Sequence, residues 1–134
     1  MNVGAPSRRE GRERALSLLY EAEAKDLSPP ALLEELPVAP PPFVVDLVAG
    51  VSRCRARIDE LIGRYAVDWS VERMAVIDRN VLRLAVYELL ESPEVPMGAV
   101  ISEAVELAKR YSTDDSGRFV NGVLSSVASE VRPD

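Results

Sequence analysis

Apolar residues recur at helical spacing along most of this chain. In the first segment, four of them stand at i, i+3, i+4 and i+7, the spacing of one buried helix face. They are Ala15, Leu18, Leu19 and Ala22. Ser7 and Glu10 precede them as S-x-x-E, the capping box that marks the start of a helix. The pattern therefore predicts a first helix from Arg8 to about Lys25.

Similar periodicity predicts the next helices, which prolines separate. Ser28-Pro29-Pro30 opens a short second helix that reaches about Leu36. The proline-rich stretch 37–42 cannot be helical and serves as a stiff connector. A long third helix is predicted from Pro42 to about Ala66, because apolar residues keep helical spacing across this whole segment.

In the second half of the chain, Ser70 caps a segment that divides near Ala75 into a short helix and the longer helix 76–91. A further helix covers about 97–111, and the last begins near the capping residues 114–116. We therefore expect an all-α fold, a single compact bundle of about seven helices. Residues 1–134 are expected to form one domain.

The helix 76–91 leaves only a narrow polar face, so it is predicted to be the central helix of the bundle. Glu88 lies in its apolar run LAVYELL and needs a buried partner, either an arginine or a backbone amide. Gly122, inside the last helix, would allow another helix to approach closely.

The composition narrows the functional classes. Histidine is absent, which removes the commonest general base and the commonest nitrogen ligand for metals. Cys54 is the single cysteine, which suits a reducing compartment, and no phosphate-binding, zinc or nucleophile pattern occurs. No segment approaches the ~20 apolar residues of a membrane span. We expect a cytoplasmic protein that is not an enzyme and that uses no cofactor or metal.

Four arginines stand close together at the start of the first helix, although the formal net charge is −6. Winding the helix at about 100° per residue places Arg9, Arg12 and Tyr20 on one stripe beside the buried face. Arg8 should emerge beyond the end of the core, and Arg14 lies on the far side, where it can pair with Glu10.

This stripe has two interpretations. Guanidinium groups and an aromatic face are what single-stranded nucleic acid requires, the first for phosphates and the second for a base. Three uncompensated cations at a helix N-terminus would also cost stability, which favours a functional role. Alternatively, Arg9 pairs with Glu13 and Tyr20 fills the core.

Longer stretches resemble a known family. IDRNVLRLAVYEL (77–89), VPMGAVISEAVELAKRYS (95–112) and DDSGRFVNGVL (114–124) are similar to the transcription antitermination factor NusB family, as is R-x-x-x-A-x-x-x-L-Y ending at Tyr20. The resemblance covers most of the chain. It implies two three-helix subdomains plus a connecting helix.

The resemblance also implies a function. The family binds boxA RNA of ribosomal RNA leader transcripts together with NusE, a small-subunit ribosomal protein. With further Nus factors it acts on RNA polymerase to promote processive elongation. Carried over by motif, the implied RNA-binding residues are Arg8, Arg9, Arg12, Tyr20, Asp78, Arg79, Asp115, Ser116 and Phe119. The solvent-facing sides of the central helix and of helix 97–111 are candidate NusE contacts.

Two alternatives accompany this interpretation. In the first, the chain is a helical protein-binding adaptor whose arginines form only surface ion pairs. In the second, it is a homodimer, as in some family members, and the dimer contact covers part of the RNA surface. A similar domain also begins ribosomal RNA cytosine methyltransferases, but no cofactor motif follows here, so we do not expect that activity.

Overall fold

The computed structural model describes residues 7–133, and all regular structure in that range is helical. The elements are α1 (Arg8–Ala24), α2 (Pro29–Glu35), α3 (Pro42–Arg53), α4 (Arg55–Tyr65), a 3-10 turn (Val71–Arg73), α5 (Val76–Glu91), α6 (Met97–Tyr111) and α7 (Asp114–Val131). The all-α fold is confirmed. Within the described residues, no helix is both long enough and apolar enough to cross a membrane.

The start of α1 is the predicted capping box. The Ser7 hydroxyl accepts a hydrogen bond from the Glu10 amide at 3.1 Å, and the Glu10 carboxylate accepts one from the Ser7 amide at 3.3 Å. Two of the amides that a helix start leaves unpaired are thereby satisfied. The predicted apolar face of α1 is buried in the core.

The predicted single helix 42–66 is wrong, because two helices, α3 and α4, meet at Cys54. Cys54 has φ −99° and ψ 13°, outside the helical range. Backbone hydrogen bonds still pass from Cys54 to Gly50 and from Ile58 to Cys54, so the chain bends without losing its pairing. The bend lets α3 pack on α1 and α2 while α4 packs on α7, which one straight helix cannot do.

The division near Ala75 is confirmed, with the 3-10 turn before it and α5 after it. α5 is also the central helix: every residue from 79 to 89 is buried, and α5 contacts α1, α3, α4, α6 and α7. The prediction that this helix has a solvent-facing side is therefore wrong over residues 79–89. α1, α2 and α3 contact one another, as do α5, α6 and α7, while α4 contacts α3, α5 and α7. The expected two three-helix subdomains with a connecting helix are therefore present.

Close helix approach occurs at Gly50 rather than at Gly122. A Cβ added at Gly50 would lie 2.2 Å from the Tyr87 ring, so α3 contacts α5 through the bare backbone. A Cβ at Gly122 would meet nothing within 4 Å, because Gly122 faces solvent. The expectation for Gly122 is wrong.

Candidate nucleic-acid interface

Three of the four N-terminal arginines, namely Arg8, Arg9 and Arg12, contact partners within the fold. Arg8 lies over the Phe43 ring, with its guanidinium carbon 4.9 Å from the ring centroid. This cation–π contact holds Arg8 at the exposed edge between α1 and α3. Its predicted position beyond the end of the core is confirmed, and the contact offsets part of the dipole penalty that we assigned to it.

Arg9 pairs with Glu103 of α6 rather than with Glu13. Its Nε and Nη2 donate to the two carboxylate oxygens at 3.2 and 2.9 Å, the fork geometry that suits arginine. The hydrogen bond from Arg9 holds the pKa of Glu103 below its ordinary value. The Arg9 side chain is still 58% exposed, so its remaining face is open to a ligand.

Arg12 does not lie on an accessible edge. It is 6% exposed, and its Nε and Nη2 each donate at 2.8 Å to an oxygen of Glu88 on α5. The predicted exposed stripe is therefore wrong at Arg12. The same pair confirms the prediction that buried Glu88 needs an arginine or amide partner.

Arg14 does not pair with Glu10, whose carboxylate instead accepts from Ser7. Glu13 is bound by Arg110 and Tyr111 of α6, which explains why it does not pair with Arg9. Residues of α6 therefore match the charges of Arg9 and Glu13, whereas Glu88 of α5 matches Arg12.

Tyr20 is 49% exposed, so the alternative that it fills the core is wrong. It borders a groove of about 320 Å³ between α1 and the ends of α5 and α6, which we call the tyrosine groove. The groove is lined by Glu13, Leu16, Ser17, Tyr20, Ile77 and Tyr111. Its exposed aromatic rings lie within reach of one ligand, and Tyr111 was not expected from sequence.

Arg79 is buried and serves the fold. Its Nη1 donates to the carbonyls of Val71 and Met74 at 3.3 and 3.1 Å, and its Nη2 bonds to Glu23 of α1. These bonds attach the 3-10 turn to α5. The direct RNA contact implied for Arg79 is therefore not available in this conformation.

Asp78, next to Arg79, faces a second cavity. Its Oδ2 accepts a hydrogen bond from the Ser116 hydroxyl at 2.9 Å, which joins α5 to the start of α7. Its Oδ1 is buried and receives no hydrogen bond from residues 7–133. A carboxylate oxygen left without a donor is an unusual feature in a buried position.

The start of α7 completes this cavity. Thr113 caps α7 by accepting from the Ser116 amide at 3.0 Å. Asp115 is exposed and bonds to Arg118, and Phe119 is half-buried against the core. The cavity, about 270 Å³, is called the Asp78 pocket and is lined by Trp69, Arg73, Met74, Ala75, Asp78, Thr113, Asp115, Ser116 and Phe119.

The fold thus brings four of the predicted residues together, namely Asp78, Asp115, Ser116 and Phe119. The N-terminus of α5 links this pocket to the tyrosine groove, because Ile77 borders one and Asp78 the other. Trp69 and Arg73 were missed from sequence. A lone tryptophan in the connector after α4 was the available signal, since a loop tryptophan outside the apolar periodicity has no assigned core position.

The described residues hold no cluster of three or more His, Cys, Asp or Glu side chains arranged to bind a metal ion. What the surface offers is different: aromatic rings, carboxylate acceptors and exposed guanidinium groups. These are the groups that contact bases and phosphates.

Comparison with known proteins shows which family this chain resembles. It is 46% identical over 130 residues to the transcription antitermination protein NusB of Salinispora arenicola, a match covering 92% of this chain and 96% of the relative. It is likewise 46% identical over 123 residues to the NusB of Thermobifida fusca, covering 89% and 87%.

Solved structures of NusB proteins have the same fold as this chain. T. maritima NusB has a TM-score of 0.85 at 38% identity, covering 97% of this chain and 96% of that one. The crystal structure of the antitermination factors NusB and NusE in complex with dsRNA contains a chain with a TM-score of 0.78 at 30% identity, covering 92% and 96%. The NusB family model itself matches residues 9–129, and the chain belongs to the NusB family.

Proposed function

We propose that this chain is a transcription antitermination factor that binds boxA RNA of ribosomal RNA leader transcripts together with NusE and promotes processive elongation by RNA polymerase. The observation that carries the proposal is its likeness, across nearly the whole chain, to the antitermination factor seen with NusE and RNA. The grouping of Asp78, Ser116 and Phe119 around one pocket supports it from this chain's own residues.

The proposed RNA surface consists of the predicted residues that are exposed or that line the tyrosine groove or the Asp78 pocket. They are Arg8, Arg9, Tyr20, Asp78, Asp115, Ser116 and Phe119. Arginines on this surface contact phosphates and set the register of the strand, whereas Asp78 and the aromatic rings contact bases. Arg12 and Arg79 act indirectly, because their buried bonds hold α1 and α5 in place.

We place NusE on the outward face of α6. The alternative surface, the side of α5, is buried over 79–89, whereas α6 exposes Met97 and much of its polar face. Further Nus factors and RNA polymerase join in the larger complex. Since the target is a nascent transcript, the protein works in the cytoplasm, and we propose no catalytic activity for it.

The second candidate is a helical adaptor or homodimer without direct RNA binding. The ion pairs of Arg9 and Arg12 favour it, because these arginines already have carboxylate partners. It differs from the first candidate in one measurable respect: the chain would bind no RNA in preference to another, whatever the RNA sequence.

Electrophoretic mobility of labelled boxA RNA, with and without NusE, tests the proposal. We expect tighter binding of boxA than of a scrambled RNA of equal length, and a further gain when NusE is present. Equal retardation of both RNAs with NusE present would exclude the RNA-binding proposal and leave the adaptor.

A further inference from the structure

Trp69 is an exposed aromatic residue at the mouth of a pocket. It lies on the connector between α4 and the 3-10 turn, where its amide donates to the Ala66 carbonyl at 3.2 Å. That bond fixes the backbone, while the indole remains 54% exposed and lines the Asp78 pocket with Phe119. Two aromatic rings in the lining of one cavity give it flat apolar walls, which suit a ligand with a planar ring.

The floor of this pocket determines which ligand edge fits. The Ser116 hydroxyl donates a hydrogen bond to Asp78 Oδ2, whereas Asp78 Oδ1 has no donor from the described part of the chain. An ionised carboxylate only accepts hydrogen bonds, so the missing partner must be an N–H or O–H donor. The amino and imino groups of nucleobases provide such donors on a planar ring.

The size of the cavity suits one base rather than a larger ligand. The cavity of about 270 Å³ falls just below the range of about 300–1,000 Å³ that holds drug-sized ligands. Arg73 is exposed and lines the same cavity, so a guanidinium is available there for a phosphate of the same strand.

We infer that Trp69 is a specificity-determining residue that stacks on one unpaired RNA base, whose N–H edge enters the Asp78 pocket. Phe119 provides the second apolar wall, and Asp78 Oδ1 accepts the hydrogen bond once the base enters. The inference rests on the proposed function, because it names which residues of the RNA surface read a base.

The single tryptophan makes this inference directly measurable. Since Trp69 is the only tryptophan of the chain, its fluorescence reports on the pocket alone. Adding boxA RNA to the full chain, or to the chain already saturated with NusE, should quench this fluorescence with the same midpoint as RNA binding. Quenching by NusE without RNA, and no further change with RNA, would make the pocket a protein contact and overturn the inference.

Substitutions separate stacking from folding. Trp69→Ala should weaken boxA binding by about 5- to 150-fold, the range for loss of one base–aromatic stack, and Trp69→Phe should retain most of the affinity. Val67→Ala is the matched control, since Val67 lies on the same connector, is 87% exposed and does not line the pocket. Each variant's melting temperature is measured beside its affinity.

Abasic scanning of the RNA completes the test. Removing bases one at a time should reveal one position at which the loss weakens binding to the wild-type chain but not to Trp69→Ala. If Trp69→Ala binds every RNA as Val67→Ala does, the inference is wrong although preference for boxA stands. If the wild-type chain shows no preference for boxA, the proposed function has failed instead.

Discussion

Two neighbouring arginines of α1 form ion pairs that differ in burial. Arg12 and Glu88 are both buried, whereas Arg9 holds Glu103 at the surface. Removing one partner of a buried pair leaves an uncompensated charge, which costs about 3–5 kcal/mol, while an exposed pair contributes about 0–1 kcal/mol.

We therefore expect Arg12→Ala to lower the free energy of unfolding by about 3–5 kcal/mol and Arg9→Ala by less than about 1 kcal/mol, both measured by urea denaturation. The double variant Arg12→Met with Glu88→Leu should recover much of the loss, because it leaves no buried charge. Equal losses for Arg9→Ala and Arg12→Ala would contradict the buried pair.

Glu23 links α1 to α5 and makes stability depend on pH. Burial raises its pKa, but hydrogen bonds from Arg79 and Asn80 and the positive charges of Arg79 and Arg83 outweigh it, so the pKa lies below its ordinary value of 4.5. A carboxylate with a lowered folded-state pKa stabilises the fold fully above its unfolded pKa. That contribution disappears as the pH falls through the folded value.

Glu23→Gln should therefore lower the free energy of unfolding by about 1–2 kcal/mol at pH 7, with the difference from wild type shrinking as the pH falls below about 4. Thermal unfolding across pH 3–7 measures this. Glu21→Gln, which removes only an exposed pair with Lys25, is the control and should show little effect. A pH-independent difference for Glu23→Gln would count against the ionic contribution.

At the scale of elements, the α3–α5 contact depends on Gly50. Gly50→Ala places a methyl group against the Tyr87 ring, which cannot move freely because its hydroxyl bonds to Asp46 and Arg53. We expect a loss of about 1–3 kcal/mol in the free energy of unfolding.

The control is Gly122→Ala in α7, where the added methyl group meets only solvent. Alanine is about 0.8–1 kcal/mol better than glycine inside a helix, so this variant should be more stable than wild type. Opposite signs for the two substitutions in denaturant unfolding are the expected result. A stabilising Gly50→Ala would mean that α3 and α5 are not in close contact.

At the scale of the whole molecule, the net charge of −6 makes RNA binding depend on a local cationic edge. Each phosphate-contacting arginine adds about 0.7 to the slope of log affinity against log salt for single strands. Arg9→Ala should therefore reduce this slope by about 0.7, measured with boxA RNA across a salt series. Arg14→Ala, on the far side of α1, should leave the slope unchanged; equal changes would mean that Arg9 has no specific role.

The sequence by itself determined the helical class, most element boundaries and the start of α1, because apolar periodicity and capping residues act within a few turns of chain. The Glu88 prediction also succeeded, since the requirement to pair a buried carboxylate holds in any fold. Family motifs within the chain pointed to Asp78, Asp115, Ser116 and Phe119, which the fold does bring to one pocket. That residues 1–134 form one domain stays a prediction.

Only the tertiary structure decided the rest. The bend at Cys54 leaves helical spacing intact on both sides, so no local pattern marks it. Arg12 is buried and Arg9 is exposed because α5 lies against one and the edge of α6 against the other, and helical winding contains no information about neighbours. The Asp78 pocket likewise exists only where the connector after α4 and the starts of α5 and α7 converge, since residues far apart in sequence must meet to form a cavity.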